Sequence, residues 1–315
     1  MIEHVYAGPG QVLDTGAAGL VGGAVCAQLR RLSIKVVGVD RVSSQGPNGA
    51  IIACDLTEAH RLHEIVGSYG IASIVHCGAL SGPMVARDDP SAMVAVNILG
   101  TANVLEVARI HKMRRFVYCS STSAYGVIRS EAPIGEFVAL RPTTLYGASK
   151  AACERLVAAY RSQYGLQGTS LRLSWVYGPR RVTDCAIREM IMGALRGENV
   201  SMAYGRDFYR QYIYVDDAAR ALVAALRHGQ TQQDVYNVTG GTWVTLAQVA
   251  DVVRSVFPEA CISLAPGPDP VDDEQSEFDI GAARADLGYT PEVSLASGVR
   301  LYADWLKESQ RLDEE

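Results

Sequence analysis

The chain has 315 residues, 48% hydrophobic and 20% charged, with a net charge of −5 and seven cysteines. That length and composition suit a globular fold with a large core, and they exclude a disordered chain or a disulfide-dependent miniature scaffold. The acidic balance excludes a whole-protein basic field for nucleic acid.

The strand–helix alternation begins near the N-terminus. Residues 11–15 read as a strand, 20–32 as a helix, and 34–40 and 50–54 as strands. A helix over 57–67, capped by Thr57, precedes a strand at 73–76. A long helix follows at 91–111, then a strand at 115–120, a helix at 145–164 and a strand at 170–174. Apolar strands without polar alternation suit a sheet buried on both faces. The expected fold class is α/β, a Rossmann-type doubly wound parallel sheet with a smaller α/β substrate-binding lobe.

After residue 178 the rhythm changes. Helices are expected at 184–196, 216–227, 245–256 (capped by Thr245) and 294–307, with strands at 200–203 and 235–238. The expected division places residues 1–178 and 211–239 in a dinucleotide-binding domain, and 179–210 and 240–315 in the smaller lobe. The loop at 266–279 carries six acids and no Lys or Arg. Asp14 runs against the pattern, as a carboxylate late in an apolar strand, where unpaired burial is costly.

No continuous apolar run reaches the roughly 20 residues of a membrane span. The first ten residues lack the basic flank and apolar core of a signal peptide. The cysteines never form a CxxC pair and the histidines form no HExxH, so neither a disulfide framework nor a metal site is expected. A reducing cytoplasmic compartment fits that cysteine usage.

The first strand runs into Thr-Gly-Ala-Ala-Gly-Leu-Val-Gly at 15–22. Gly16, Gly19 and Gly22 permit a tight turn, close approach of backbone to a pyrophosphate, and close helix packing. Leu20 and Val21 open the helix whose free N–H groups and positive dipole end face the phosphates. Asp40 ends the second strand, where a carboxylate accepts from both ribose hydroxyls and repels a 2′-phosphate. That favours NAD as the cofactor, although the neighbouring Arg41 is a group that can meet a 2′-phosphate. Asp55 and Leu56 suit the adenine amine and ring face, and Asp55 equally suits a helix-start acid.

Tyr146 and Lys150 lie at i and i+4 in Tyr-Gly-Ala-Ser-Lys, on one helix face. An adjacent ammonium favours the phenolate, which can take a proton from an alcohol while hydride leaves its carbon. The hydroxyl-rich run 120–123 follows an apolar strand, at the carboxyl end where such sheets carry catalytic groups.

The ordered motifs resemble the extended short-chain dehydrogenase/reductase superfamily, in its NAD-dependent epimerase/dehydratase branch. They include TGAAGLVG at 15–22, Asp40, Asp55-Leu56, HCGA at 76–79, Asn97 and CSSTSAYG at 119–126. YGASK at 146–150, LRLSWVYGPR at 171–180, RQYIYVDDAA at 210–219 and YNVTGG at 236–241 complete the set, across nearly the whole chain. The resemblance implies Ser121 as the catalytic hydroxyl, Tyr146 as general acid/base and Lys150 as its partner, which also holds the nicotinamide ribose. It places Ala79 and Asn97 near the cofactor, and Ser81, Ser121, Thr122, Trp175 and Arg210 near a sugar-like small-molecule substrate. It further implies a homodimer through the helices at 91–111 and 145–164.

Within that resemblance the substrate signals divide. Arg210 matches the arginine that nucleotide-sugar members place on the diphosphate, and Arg suits such contact. Trp175 stands where many of those members have Asn, and a second clamp arginine would fall near Asp269, in the acidic loop. Thr122 and Ser123 stand where dehydratases carry an Asp-Glu pair, which disfavours a dehydratase. Between residues 178 and 210 six arginines face four acids, which suits an anionic substrate, either a diphosphate or a sugar carboxylate. The expected activity is NAD-dependent removal of hydride from a secondary alcohol of a sugar, most like a nucleotide-sugar epimerase. The alternatives are a net dehydrogenase of a free sugar or sugar acid, and a cofactor-sensing regulator without turnover, which would not need both Tyr146 and Lys150.

Overall fold

Seven parallel strands form the central sheet among the described residues. Their order is β10-β6-β5-β4-β1-β2-β3, with β1 Val12–Thr15, β2 Val36–Asp40, β3 Ile51–Ala53, β4 Ser73–His76, β5 Arg115–Ser121, β6 Gly168–Leu173 and β10 Val235–Val238. The computed structural model describes Gly8, residues 10–45 and residues 49–313, with side chains through residue 309. The direction of strand succession reverses between β1 and β4, and a ligand crevice opens at the strand ends beside such a switch point.

Alternate residues of β1 serve opposite faces. Val12 packs with Val25 and Leu29 of α1 (Leu20–Arg31) and with Leu222 and Leu226 of α7 (Val215–Arg227). Leu13 packs with Ile74, Leu105, Phe116 and Val157 on the other face. That face is covered by α2 (Ala59–Tyr69), by a long helix and by α5 (Leu145–Tyr164). The long helix joins α3 (Pro90–Met93), a π-helical stretch Val94–Leu99 and α4 (Gly100–Ile110). Burial on both faces is why the strand sequences lack a polar alternation. The span Pro90–Ile110 is long and apolar enough to cross a membrane, which a search for uninterrupted apolar runs passes over; here 44% of its most apolar window is buried within the fold.

The second lobe has its own core. Met190 and Ile191 of α6 (Ala186–Arg196) meet Val249 and Val253 of α8 (Leu246–Val256) and Val299 and Tyr302 of α10 (Leu295–Asp313). Strands β8 (Val200–Met202) and β12 (Ile262–Leu264) pair in parallel beside it. A three-stranded sheet, β11-β9-β7, joins the two lobes. It comprises β7 (Trp175–Tyr177), β9 (Tyr209–Tyr214) and β11 (Trp243–Thr245). None of these three was expected as a strand, and α9 (Gly281–Leu287) was not expected as a helix. They are short elements whose pairing partners are distant in the chain.

Two local expectations meet the structure differently. Thr245 caps α8 in a reciprocal capping box with Gln248. Thr57 does not cap α2; its N–H and hydroxyl both donate to Asp55, at 2.9 and 2.8 Å. The buried Asp14 accepts from the Cys26 thiol at 3.1 Å, and burial pushes its carboxyl well above the usual range. A neutral acid avoids the cost of an unpaired buried charge.

Candidate active site

The cleft beside the switch point has a volume of about 500 Å³ and is lined from both lobes. Its floor is the turn between β1 and α1. Gly16 adopts φ +75°, and a Cβ there would come within 2.7 Å of the Gly78 backbone. A Cβ at Gly22 would strike the carbonyl of Gly16, so α1 closes against the turn only without one. No side chain among the described residues caps α1 at Gly19, and no acid stands in its first turn. Its first N–H groups therefore remain available to a phosphate. Asp40 lies over the turn, accepting from the N–H of Ala18 at 3.0 Å and of Arg41 at 2.7 Å. Asp55 and Leu56 form the far wall, and the bonds from Thr57 hold the Asp55 carboxyl below its usual range. Gly16, Gly19, Leu20, Val21, Gly22, Asp40, Asp55, Leu56 and Ala79 all line the cleft. A capless helix end, a glycine turn and an acid at the end of β2 fit an adenine dinucleotide, so the residues present suit NAD.

Asn97 does not line this cleft. It is buried in the π-helical stretch, where its side chain accepts from Leu80 N–H at 2.8 Å and donates to Leu80 O at 3.1 Å and Ser149 Oγ at 3.0 Å. Asn97 thereby clamps the loop after β4 to α5. That loop carries Ala79 and Ser81 into the cleft.

Helix α5 starts at Thr144, whose hydroxyl accepts from the N–H of Gly147 at 3.0 Å. This cap sets Tyr146 in the first turn and Lys150 one turn on, both on the cleft. The Tyr146 hydroxyl is 3.4 Å from Ser81 Oγ. Lys150 Nζ donates to Cys119 O at 2.7 Å and lies 5.8 Å from the Tyr146 ring centre. Burial works against the Lys150 charge, but Tyr146 and the surrounding thiols outweigh it and hold the ammonium above its usual range. Ser121 ends β5; its hydroxyl donates to Ser123 Oγ at 3.1 Å and accepts from Ser123 N–H at 3.1 Å. Glu154, one turn beyond Lys150, anchors the helix through a buried bidentate pair with Arg172 of β6, at 2.6 and 2.9 Å.

Ser81, Ser121, Thr122 and Trp175 line the same cleft, and Arg210 does not. Arg210 is 7% exposed and donates to Asp272 at 2.8 Å and Asp269 at 2.7 Å. In this structure two carboxylates of the acidic loop hold its guanidinium. Arg180 and Arg181 line the cleft, although sequence reasoning gave neither an individual role. Arg180 adopts φ +71°, a conformation that nothing in an Arg side chain advertises. Their signal was only their place directly after the Tyr-Gly-Pro run.

The model of the NAD dependent epimerase/dehydratase family matches residues 12–239. The chain belongs to this family. A curated family relative, UDP-glucuronate 4-epimerase 6 of Arabidopsis thaliana, is 28% identical over 93% of this chain and 71% of its own. The UDP-glucose 4-epimerase of Thermotoga maritima, solved with UDP-glucose, superposes with a TM-score of 0.88 at 26% identity, covering 95% of this chain and 99% of its own. The UDP-glucose 4-epimerase of Thermus thermophilus, solved with NAD, gives 0.84 at 28% identity, covering 94% and 99%. The family's cofactor chemistry matches the cleft, where the glycine turn and the Tyr-Lys pair share one space.

Proposed function

We propose that the protein is an NAD-dependent oxidoreductase or epimerase of the extended short-chain dehydrogenase type, acting on a secondary alcohol of a sugar-type substrate. The observation that carries this reading is the convergence of Tyr146, Lys150, Ser121 and Ser81 on the cleft that holds the glycine turn. NAD, when bound, supplies the hydride acceptor. Tyr146 takes the hydroxyl proton as the substrate carbonyl forms. Lys150 keeps a positive charge beside that phenol and reaches the nicotinamide ribose, while Ser121 and Ser81 orient the reacting oxygen. Gly16, Gly19, Leu20, Val21 and Gly22 receive the pyrophosphate; Asp40, Asp55, Leu56 and Ala79 bound the remaining cofactor. Thr122 and Trp175 border the substrate.

The overall chemistry follows the UDP-sugar 4-epimerases that the chain resembles. A net dehydrogenase of a free sugar or sugar acid is the second reading, favoured by the Arg210 ion pair. We assign residues 1–178 and 211–239 to the cofactor half and 179–210 and 240–315 to the substrate lobe, with two crossings: Ile280, Ala283, Leu287 and Tyr289 pack into a core of the cofactor half, and Tyr177, Tyr212, Tyr214 and Val215 pack into that of the lobe. Exposed apolar residues on the long helix (Val94, Leu99, Ile110) and on α5 (Leu145, Tyr164) support a homodimer through these helices. The unpaired cysteines support a cytoplasmic location.

The test is Tyr146→Phe. The phenol hydroxyl makes one hydrogen bond among the described residues, 3.4 Å long, so fold and NAD binding should hold within about 0.5 kcal/mol. Turnover should fall by roughly 10² to 10⁴, the contribution of a positioned acid/base. A variant with wild-type turnover refutes the assignment.

A further inference from the structure

Trp175 is the partition at the substrate end of the cleft. Trp175 borders both the main cleft and a second, small void. That void measures about 10 Å³, room for a single water. Arg210, Gln211 and Asp272 line it, together with the stacked rings of Tyr209 and Trp243 at 4.1 Å.

The partition is rigidly built. The Arg210 guanidinium stacks on Trp175 at 4.3 Å, and the Arg181 guanidinium lies 5.2 Å from the same ring. The Trp175 indole N–H bonds Asp272. Asp269 Oδ1 accepts from the N–H groups of Val271 and Asp272, while Asp269 Oδ2 accepts from Arg210. The acidic loop is fastened further by Thr143 donating to Asp273 and by Gln275 donating to Thr122 O and Gly126 O at 2.8 and 3.0 Å.

The charge count follows from these contacts. One guanidinium meets two carboxylates, and burial pushes the Asp272 carboxyl upward. With Asp272 ionised the cluster carries a net negative charge; with it protonated the cluster is neutral. In neither state does it offer positive charge to a polyanion, and reaching the guanidinium would require expelling a carboxylate from a buried pair. On the cleft side of Trp175 the balance is reversed. Arg181 donates to two backbone carbonyls, Val176 O at 2.6 Å and Asp184 O at 2.9 Å, and its buried Nε has no partner among the described residues. Arg180 borders the same space.

We infer that the substrate is a compact sugar acid without a nucleoside diphosphate, and that Trp175, Arg210, Asp269 and Asp272 form the wall that excludes the diphosphate. This inference rests on the proposed hydride chemistry at Tyr146 and adds the substrate class. Cations without carboxylate partners among the described residues, on the near side of Trp175, suit one carboxylate. The water-sized void lined by Arg210 and Asp272 has no space for a nucleotide.

The experiment measures UDP binding to the full-length protein by calorimetry, then turnover. The turnover panel contains free aldoses, aldonates and uronates beside UDP-glucose and UDP-glucuronate, with NADH absorbance and epimer chromatography as readouts. Expected results are no UDP binding at 1 mM, turnover of at least one free sugar acid, and at least tenfold lower kcat/KM for the corresponding neutral aldose. The double variant Asp269→Asn/Asp272→Asn should free Arg210 and tighten UDP binding at least tenfold; Asp269→Asn alone serves if the double variant does not fold. Submillimolar UDP binding by the wild type, or turnover of a UDP-sugar, overturns the inference and leaves the hydride chemistry standing. Preference for neutral aldoses overturns its sugar-acid part. Absence of NAD binding, measured in the same calorimeter, overturns the proposed function instead.

Discussion

His76, the last residue of β4, makes the stability of this protein depend on mild acid. It is fully buried between β1 and the long helix, with Nδ1 2.6 Å from Thr15 Oγ1 and Nε2 2.9 Å from Thr101 Oγ1. The Thr101 hydroxyl donates to Asn97 O at 2.6 Å, so its oxygen accepts from Nε2–H, and Nδ1 accepts from Thr15. Both nitrogens are committed in the neutral ring. Burial, then the Lys150 ammonium, lowers the His76 pKa from 6.5 to about 3. The unfolded chain therefore binds a proton that the fold refuses: stability is complete above pH 6.5 and is lost as pH falls toward 3. At pH 5 the loss is about 2 kcal/mol, from 1.36 kcal/mol per unit over roughly 1.5 units. That is a large share of a typical margin of about 5–15 kcal/mol. The assay is urea unfolding from pH 7.5 to 5 for wild type and His76→Gln, which has no titrating ring. The wild type should lose about 2 kcal/mol more than the variant over that interval. Parallel stability curves would refute the buried neutral imidazole.

Three further outcomes follow from single contacts. Glu154→Ala strands the buried Arg172 guanidinium, with side chains only 3–4% exposed, and should cost about 3–5 kcal/mol in urea unfolding. Asp40→Ala removes the carboxylate expected on the adenosine ribose, and should weaken NAD at least tenfold while narrowing the preference over NADP; titration of both cofactors checks this. Gly22→Ala drives a methyl into the Gly16 carbonyl and should abolish NAD binding while the far lobe still folds, as read by calorimetry and circular dichroism.

The glycine turn, the acid at the end of β2 and the Tyr-Lys helix face were legible because each is a local pattern: a few adjacent residues whose spacing fixes their geometry. Asn97 was legible as a member of the motif set and illegible as a clamp, because its partners are Leu80 and Ser149. Asp14 stood out against an apolar strand, yet its account needs Cys26 of the following helix and complete burial. Strands β7, β9 and β11 were missed because their hydrogen-bond partners are far away in the chain and each is only three to six residues long.

The sequence by itself determined the central sheet, the cofactor turn and the pairing of Tyr146 with Lys150, since strand and helix periods and short motifs are set by neighbours in the chain. Only the tertiary structure decided what Arg210 does. Its charge is the same on paper whether it awaits a diphosphate or is spent. The fold spends it, by bringing Asp269 and Asp272 from some sixty residues away onto the same guanidinium, and burial makes that pairing costly to undo.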